Sequence, residues 1–238
     1  MKKVIIVGAT SGIGRSLAKL LADNNYLVGI TGRRTNLLED IKAEKPDSYI
    51  IKSFDTTQTK TIPKHLNELR QELAGVDLLV ISSGTGDLNE SLDFEIEKRT
   101  IDTNVSGFTA IAGWAFNYFQ TQGYGQLVAI SSIAGLRGNY QASSYSATKA
   151  FQINYLEGLR IKAAKASLPI YITDIRPGFV NTEMAKGDGL FWVAPVDKAA
   201  LQIFKAIQKK KKIAYITKRW RILAQLLKSL PNSVIEKM

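Results

Sequence analysis

Short apolar runs alternate with longer amphipathic stretches along most of the chain. Such runs, rich in β-branched and aliphatic residues, are typical of buried strands, and the stretches between them repeat apolar residues at helical spacing. The longest predicted helix spans Ser144–Ala166. The pattern predicts seven strands, at Val4–Gly8, Leu27–Thr31, Tyr49–Ser53, Leu78–Ser82, Gln126–Ser131, Ile170–Ile175 and Ile213–Ile216.

The alternation of strands and helices predicts the fold class. Strands separated by helices pair in parallel through right-handed crossovers, which gives a Rossmann-like, doubly wound α/β sandwich of three layers. The 238 residues show no linker-like break or internal repeat, so we expect one domain spanning 1–238. Ligands of such sheets bind beyond the carboxyl ends of the strands, near the point where the strand order reverses.

The first predicted strand runs into a glycine-rich turn, GATSGIG, and then into an amphipathic helix. Gly8, Gly12 and Gly14 allow a sharp turn and a close approach of the backbone to a pyrophosphate at the helix N-terminus. The spacing differs from the usual G-x-G-x-x-G motif, and no Gly-Lys-Ser/Thr follows as in a Walker A loop. Its place at the first βα junction favours a nucleotide site over an ordinary turn.

Tyr145 and Lys149 stand four residues apart in the longest predicted helix, so their side chains share one face. A fixed ammonium beside a phenol favours the phenolate, and we therefore expect Lys149 to lower the pKa of Tyr145. A tyrosine tuned in this way exchanges a proton at neutral pH. The pair alone is more typical of a solvated helix face, so its interpretation depends on the other motifs.

Together, these motifs resemble the short-chain dehydrogenase/reductase family. GATSGIG matches its cofactor loop, and RPGFVNT at 176–182 is similar to the segment that wraps the nicotinamide end. One departure is SSGTG at Ser82–Gly86, where the family often has Asn-Asn-Ala-Gly. The residues that match the family's catalytic set, in order and spacing, are Asn104, Ser132, Tyr145 and Lys149.

The resemblance implies hydride transfer between a nicotinamide cofactor and a carbonyl or secondary alcohol. Ser132 would hold the substrate oxygen near Tyr145, the proton donor or acceptor. Lys149 would also hold the nicotinamide ribose, and Asn104 would position a water that links Lys149 to solvent. Taken singly, Ser132 fits a strand-end cap and Asn104 a hydrogen bond within a helix, but the joint pattern favours catalysis. A non-catalytic NADP(H)-binding or sensing protein on the same fold is the alternative.

The residues after the second strand favour NADP(H). Gly32 stands where NAD-dependent members of the family usually carry an acid, and Arg33 and Arg34 follow with guanidinium groups suited to a phosphate. The alternative is that both arginines are solvated. Asp55 matches the family residue that contacts adenine, although it also fits a strand-end cap. The expected cofactor contacts are Gly8, Thr10, Ser11, Gly12, Ile13, Gly14, Arg33, Arg34, Asp55, Thr56, Ser83, Gly84, Tyr145, Lys149, Pro177, Gly178, Val180 and Thr182.

Composition argues against several other chemistries. The chain has no cysteine, and His65 is the only histidine and lacks a partner cluster, so we expect no metal site. The apolar run of MKKVIIVGATSG is too short for a signal peptide, and no run approaches the ~20 apolar residues that span a bilayer. We expect a cytoplasmic protein.

The loop NTEMAKGDGLFWVAP is expected to cover the substrate. Its apolar residues predict a pocket for a bulky or chain-like carbonyl compound, with core or oligomer contacts as the alternative. These residues, with the preceding phenylalanine, are Phe179, Met184, Leu190, Phe191 and Trp192. The resemblance also implies a homo-oligomer, either a dimer or a tetramer.

Positive charge is concentrated at the C-terminal end. The net charge is +11, and residues 201–238 hold ten Lys or Arg against one acid, Glu236. Within 218–238, Trp220–Leu230 predicts an amphipathic helix with Arg221, Gln225, Lys228 and Ser229 on its polar arc. This helix would pack on the fold or a partner subunit, or contact an anionic membrane at the inner surface of the cell. Nucleic-acid binding is not expected, because the basic residues lack aromatic interleaving.

Overall fold

The computed structural model describes residues 1–185 and 190–236. Within these residues a parallel sheet runs in the order β3-β2-β1-β4-β5-β6-β7. Its strands are β1 (Lys2–Val7), β2 (Tyr26–Gly32), β3 (Tyr49–Ser53), β4 (Leu78–Ile81), β5 (Gly125–Ile130), β6 (Ile170–Pro177) and β7 (Ile213–Ile216). The helices are α1 (Gly12–Asp23), α2 (Thr35–Glu44), α3 (Ile62–Glu72), α4 (Phe94–Ile101), α5 (Phe108–Gln122), α6 (Ser143–Lys165), α7 (Val196–Gln208), α8 (Trp220–Ser229) and α9 (Asn232–Ile235).

The predicted fold class, a doubly wound α/β sandwich, is confirmed. All seven predicted strands are present; the ends of β3 and β7 match the prediction, and those of the other five differ from it by at most two residues. Gly8 falls outside β1 because its φ of +90° is left-handed and cannot continue a strand. The longest predicted helix is α6, which begins and ends one residue earlier than expected.

Two apolar cores hold the three layers together. In β1, Val4 and Ile6 pack with α1, α2 and α7 on one face of the sheet. Ile5 and Val7 pack with α3, α5 and α6 on the other face. Because alternate residues enter different cores, both faces of the strand are buried, and the sequence shows a continuous apolar run rather than an alternating one.

The strand order reverses between β1 and β4, and this reversal creates the crevice. The chain builds outward from β1 to β3 and then returns to place β4 on the opposite side of β1. The turn after β4 is held against β1, because the amides of Ser82 and Ser83 both donate to Val7 O at 2.8 Å. The loops that follow β1 and β4 therefore meet at the carboxyl edge of the sheet, where such folds bind ligands.

Candidate active site

The glycine-rich turn connects β1 to α1 and packs against Ser82 and Ser83, which follow β4. A Cβ placed on Gly8 would lie 2.5 Å from Ser83 N, and one placed on Gly14 would lie 2.0 Å from Gly8 O. Gly12 has a φ of +54°, a conformation that favours glycine. Ser11 makes no side-chain cap bond to α1, so the amide groups of the first turn are available to a phosphate.

A cleft of about 2060 Å³ follows the carboxyl ends of the central strands. Its lining includes every residue predicted to contact the cofactor except Gly14, which is packed beneath the backbone of Gly8. Ser132 lines the same cleft. Asn104 does not, because its side chain is completely buried. The tertiary structure thus brings into one cavity segments that lie as far apart in sequence as Gly8 and Thr182.

The two arginines after β2 are held differently. Arg34 donates from Nη2 to Thr10 Oγ1 and Ser11 Oγ, each at 2.9 Å, and so lies over the glycine turn. Arg33 is largely exposed, with Nη1 3.8 Å from Asp55 Oδ2. Asp55 also accepts hydrogen bonds from the amide and the hydroxyl of Thr57, so it caps the turn after β3 as well as facing the cleft.

Ser132, Tyr145 and Lys149 converge at the inner end of the cleft. Ser132 follows β5 and accepts a hydrogen bond from Ala134 N at 3.1 Å. Its side chain also shares a hydrogen bond with Tyr145. Lys149 Nζ lies 5.7 Å from the centroid of the Tyr145 ring and donates to Ile130 O at 3.0 Å. A hydroxyl, a phenol and an ammonium thus meet where a carbonyl oxygen can be held and protonated.

The predicted direction of the Tyr145 pKa shift is wrong in this structure. Burial raises the pKa of Tyr145 above its usual value, and the hydrogen bond with Ser132 only partly offsets that effect. Lys149 is itself buried, which lowers its pKa to about 8, while the charge of Asp174 acts in the opposite direction. Lys149 Nζ donates to the Ile130 carbonyl, and burial is the larger influence on the Tyr145 pKa.

Asn104 lies in a π-helical turn, Asp102–Gly107, between α4 and α5. Its side chain accepts from Thr85 N at 2.9 Å and donates to Thr85 O at 2.7 Å and to Thr148 Oγ1 at 3.1 Å. These bonds tie the loop after β4 to α6, immediately before Lys149. Widened turns of this kind are frequent at functional sites, because they redirect backbone groups that an α-helix would use internally.

Comparison with known proteins identifies the family. The family model of the short chain dehydrogenases matches residues 2–189. The chain belongs to this family. An uncharacterized oxidoreductase of Myxococcus xanthus is 32% identical over 188 residues, which are 77% of this chain and 74% of that protein. A probable NADP-dependent dehydrogenase of Haemophilus influenzae is 29% identical over 177 residues, 73% of this chain and 69% of that protein.

Solved structures of the family share the fold. A short-chain dehydrogenase from Streptomyces avermitilis superposes with a TM-score of 0.83 at 24% identity, covering 96% of this chain and 91% of that one. The Sphingobium yanoikuyae short-chain dehydrogenase in complex with NADPH gives a TM-score of 0.81 at 22% identity, with 97% of each chain covered. At these identities the likeness extends to the architecture alone.

The substrate side of this short-chain dehydrogenase differs in part from the expectation. Phe179 and Met184 line the cleft, as predicted for an apolar pocket. Phe191 and Trp192 do not line it and instead pack on Trp220, with ring centroids 5.1 and 5.6 Å away. Leu190 is also absent from the lining. Phe191 and Trp192 instead buttress the C-terminal segment, because α8 brings the Trp220 ring beside them. Residues 186–189 of the same loop lie outside the described residues.

The C-terminal helix α8 packs on the fold. Trp220 is buried against the backbone of Gly178, where a Cβ would lie 2.0 Å from the indole. Arg137, five residues beyond Ser132, donates to Leu227 O at 2.8 Å and to Leu230 O at 2.6 Å. Leu227 lines the cleft. The helix therefore joins the RPGFVNT segment at 176–182 to the loop that follows Ser132. Lys237 and Met238 of the predicted extension lie outside the described residues.

The outer face of α8 stays exposed. Ile222 and Leu226 are 73% and 54% exposed, and the guanidinium of Arg219 lies 5.0 Å from the Trp192 ring centroid. The lysines of 209–212 precede β7, whereas α8 follows it, so the positive charge of the tail is divided between the two ends of that strand. Within the described residues, no helix has both the length and the apolar character needed to cross a bilayer.

Three contacts of the site were not predicted, although Gly86 belongs to the SSGTG segment noted in the sequence. Gly86 packs on the Tyr145 ring, Gln152 bonds to Lys149, and Arg137 holds α8. A glycine after a strand gives a weak signal, and a glutamine inside a helix or an arginine in a loop gives none. The importance of each comes from a contact with a residue distant in sequence or on another turn.

Proposed function

We propose that this short-chain dehydrogenase is an NADP(H)-dependent oxidoreductase acting on carbonyl compounds or secondary alcohols with an apolar or chain-like substituent. The observation that carries the proposal is the convergence of Ser132, Tyr145 and Lys149 in the cleft that also contains the glycine turn and both arginines. NADP(H), when bound, would supply or accept the hydride. A cytoplasmic location is part of the same proposal.

Proton transfer would be the task of Tyr145. Ser132 would donate a hydrogen bond to the substrate oxygen, and Tyr145 would give its phenolic proton to that oxygen during reduction. Because burial raises the pKa of Tyr145, the phenol keeps its proton near neutral pH, which suits the reductive direction. The reverse reaction requires the phenolate as base and would be favoured at higher pH.

The choice of NADP(H) over NAD(H) is supported by the surroundings of Gly32. A Cβ at position 32 would lie 2.5 Å from Thr10 Cγ2, so an acid there would first have to displace the Thr10 side chain. Arg34 is already oriented over the glycine turn, and Arg33 is exposed at the rim of the cleft. Guanidinium groups in these positions suit a 2′-phosphate.

The surface outside the cleft suggests two partners. Ile101 on α4 and Phe151 on α6 are exposed, with Ile101 in a shallow groove that Val105 and Thr148 also line. We assign this face to a second copy of the chain, in a homo-oligomer that light scattering will detect.

The exposed face of α8 is assigned to an anionic membrane. Ile222 and Leu226 share a helix face with Arg219, and Lys218 and Arg221 supply further positive charge beside them. Apolar residues with a basic rim complement a surface of acyl chains and anionic headgroups. An apolar substrate would partition into the same surface.

Turnover by wild type and a Tyr145→Phe variant tests the proposed function. Carbonyl compounds and alcohols are screened by the absorbance change of NADPH or NADP. We expect the phenylalanine variant to bind NADPH nearly as well as wild type but to lose at least ~10²-fold in kcat, the scale of a missing general acid. Near-normal turnover would refute the role of Tyr145. Tight NADPH binding without turnover of any compound would favour the sensing alternative.

A further inference from the structure

The side chain of Gln152 joins Lys149 to Asn104. Gln152 Oε1 accepts a hydrogen bond from Lys149 Nζ at 3.1 Å, and Gln152 Nε2 donates to the backbone carbonyl of Asn104 at 2.9 Å. The side chain is 1% exposed. Because a carbonyl accepts only from the NH₂ end of the amide, Asn104 sets the orientation of Gln152 and turns its oxygen toward the ammonium.

These bonds determine how the protons of Lys149 are used. An ammonium has three N–H donors. Ile130 O takes one at 3.0 Å and Gln152 Oε1 takes another, so one N–H is left for the cleft. A Cβ on Gly84, which lines the cleft, would lie 3.4 Å from Lys149 Nζ. Because Ile130 O and Gln152 Oε1 hold two of the N–H groups of Lys149, the third points toward the cleft.

The anchor behind Gln152 is rigid. Asn104 is itself held by Thr85 and Thr148 through three side-chain hydrogen bonds, and its side chain is completely buried. A buried polar network in which each member is satisfied resists rearrangement, because breaking any bond leaves a desolvated polar group. That Asn104 positions a water linking Lys149 to solvent stays a prediction, whereas the side chain of Gln152 connects Lys149 with Asn104 directly.

We propose that Gln152 is a positioning residue that fixes the ammonium of Lys149 between Asn104 and the cleft, so that one N–H remains directed at the cofactor and at Tyr145. The inference rests on the proposed function, in which Lys149 acts together with Ser132 and Tyr145 in the cleft. It adds a residue that acts through Lys149 and touches neither substrate nor cofactor.

The titration of Lys149 tests the inference without any catalytic assay. The titratable groups near Lys149 in the described chain are Tyr145, on the same helix, and Asp174 on β6, which is paired with Arg176. NMR of lysine side chains, assigned with a Lys149→Met variant, follows the pKa of Lys149, which is about 8 in wild type. Gln152→Glu places a carboxylate against the ammonium and should raise that pKa, whereas Gln152→Met removes an acceptor and should lower it.

Kinetics supply the second measurement. For Gln152→Met we expect kcat to fall about 10-fold or more, the scale of one lost hydrogen bond to a charged group, while KM for the carbonyl substrate stays within about twofold. The pH dependence of kcat should move in the direction in which the Lys149 pKa moves. Gln122→Met is the matched control, because Gln122 also bonds through both amide atoms but on α5, outside the cleft lining.

The outcomes separate this inference from the proposed function. Opposite pKa shifts in the two Gln152 variants, with none in the Gln122 control, support it. An unchanged Lys149 pKa in folded Gln152→Met, or shifts in the same direction in both variants, overturns it even if Tyr145→Phe is inactive. Full activity of Tyr145→Phe overturns the proposed function but leaves the pKa test intact. If Gln152→Glu does not fold, Gln152→Met alone tests the inference: a lowered Lys149 pKa with a nearly unchanged KM supports it, and an unchanged pKa overturns it.

Discussion

Gly86 lies against the ring of Tyr145, and a Cβ at position 86 would come within 2.3 Å of Tyr145 Cδ2. The glycine ends the SSGTG segment, the stretch that departs from the family's Asn-Asn-Ala-Gly. The segment therefore forms part of the wall that holds the proposed proton donor. A side chain at position 86 must push either the loop or the phenol out of place.

Gly86→Ala should consequently reduce turnover without abolishing NADPH binding. We expect kcat to fall about 10-fold or more, because small displacements of a reacting group have large effects on rate. Gly113→Ala is the control, since a Cβ at position 113 on α5 meets nothing within 4 Å. Steady-state kinetics with NADPH titration checks the prediction, and equal kcat values in both variants would contradict it.

Arg33→Ala should weaken binding of NADPH more than binding of NADH. Arg33 is exposed at the rim of the cleft, so solvent screens its charge, and we expect a loss of about 10-fold for NADPH with little change for NADH. Fluorescence titration of both cofactors measures the ratio. Arg221→Ala, on the exposed surface of α8, should leave both affinities unchanged. Equal weakening of the two cofactors by Arg33→Ala would mean that Arg33 only supports its loop.

The buried Lys149 predicts a pH-dependent stability. Its pKa is lowered from 10.5 to about 8, so between these values the unfolded chain binds more protons at this residue than the folded chain does. The stability contributed by this group is therefore present above pH 10.5 and is lost as the pH falls toward 8, and it changes by up to ~1.4 kcal/mol per pH unit.

Comparison with Lys149→Met isolates this effect from other titrations. We expect the free energy of unfolding of wild type, relative to the variant, to increase by about 1 kcal/mol or more between pH 8 and pH 9.5. Urea unfolding at a series of pH values measures the difference. A difference that is independent of pH, or that falls as the pH rises, would show that the ammonium is not desolvated as the structure indicates.

Membrane contact through α8 is tested by Ile222→Ser combined with Leu226→Ser. Each apolar side chain removed from the lipid surface should weaken the free energy of membrane binding by about 1.5 kcal/mol or more. We therefore expect the partition coefficient, measured by sedimentation with anionic vesicles, to fall at least about 10-fold. High salt should weaken wild-type binding only in part, because it screens the basic residues but not apolar burial.

Leu201→Ser, an exposed leucine on α7, is the matched control for vesicle binding. Truncation after Thr217 is a poorer test, because it removes Trp220 from its buried position on Gly178. If wild type and the double variant sediment equally, α8 does not bind membranes. Its exposed residues would then be open to an oligomer contact, which light scattering of the same double variant reveals.

Sequence patterns predicted the elements well because local spacing reflects burial. Val4–Val7 enters two cores, so its apolar character is continuous, and the Tyr145–Lys149 spacing places both side chains on one face of α6. The pattern of charged residues in 218–238 did not predict which side chains of α8 are buried. The sequence showed that α8 is amphipathic, but not that Trp220 would be buried while Ile222 and Leu226 remained exposed.

The sequence by itself determined the fold class, the family and the residues that carry the proposed chemistry, because strand periodicity, glycine spacing and the Tyr-x-x-x-Lys step are local properties. Only the tertiary structure decided the environment of those residues. Burial, which raises the pKa of Tyr145 and lowers that of Lys149, depends on packing between β5, β6 and α6. The link from Gln152 to Asn104 joins residues 48 positions apart. Desolvation and such contacts arise only when distant segments are brought together, so no local pattern records them.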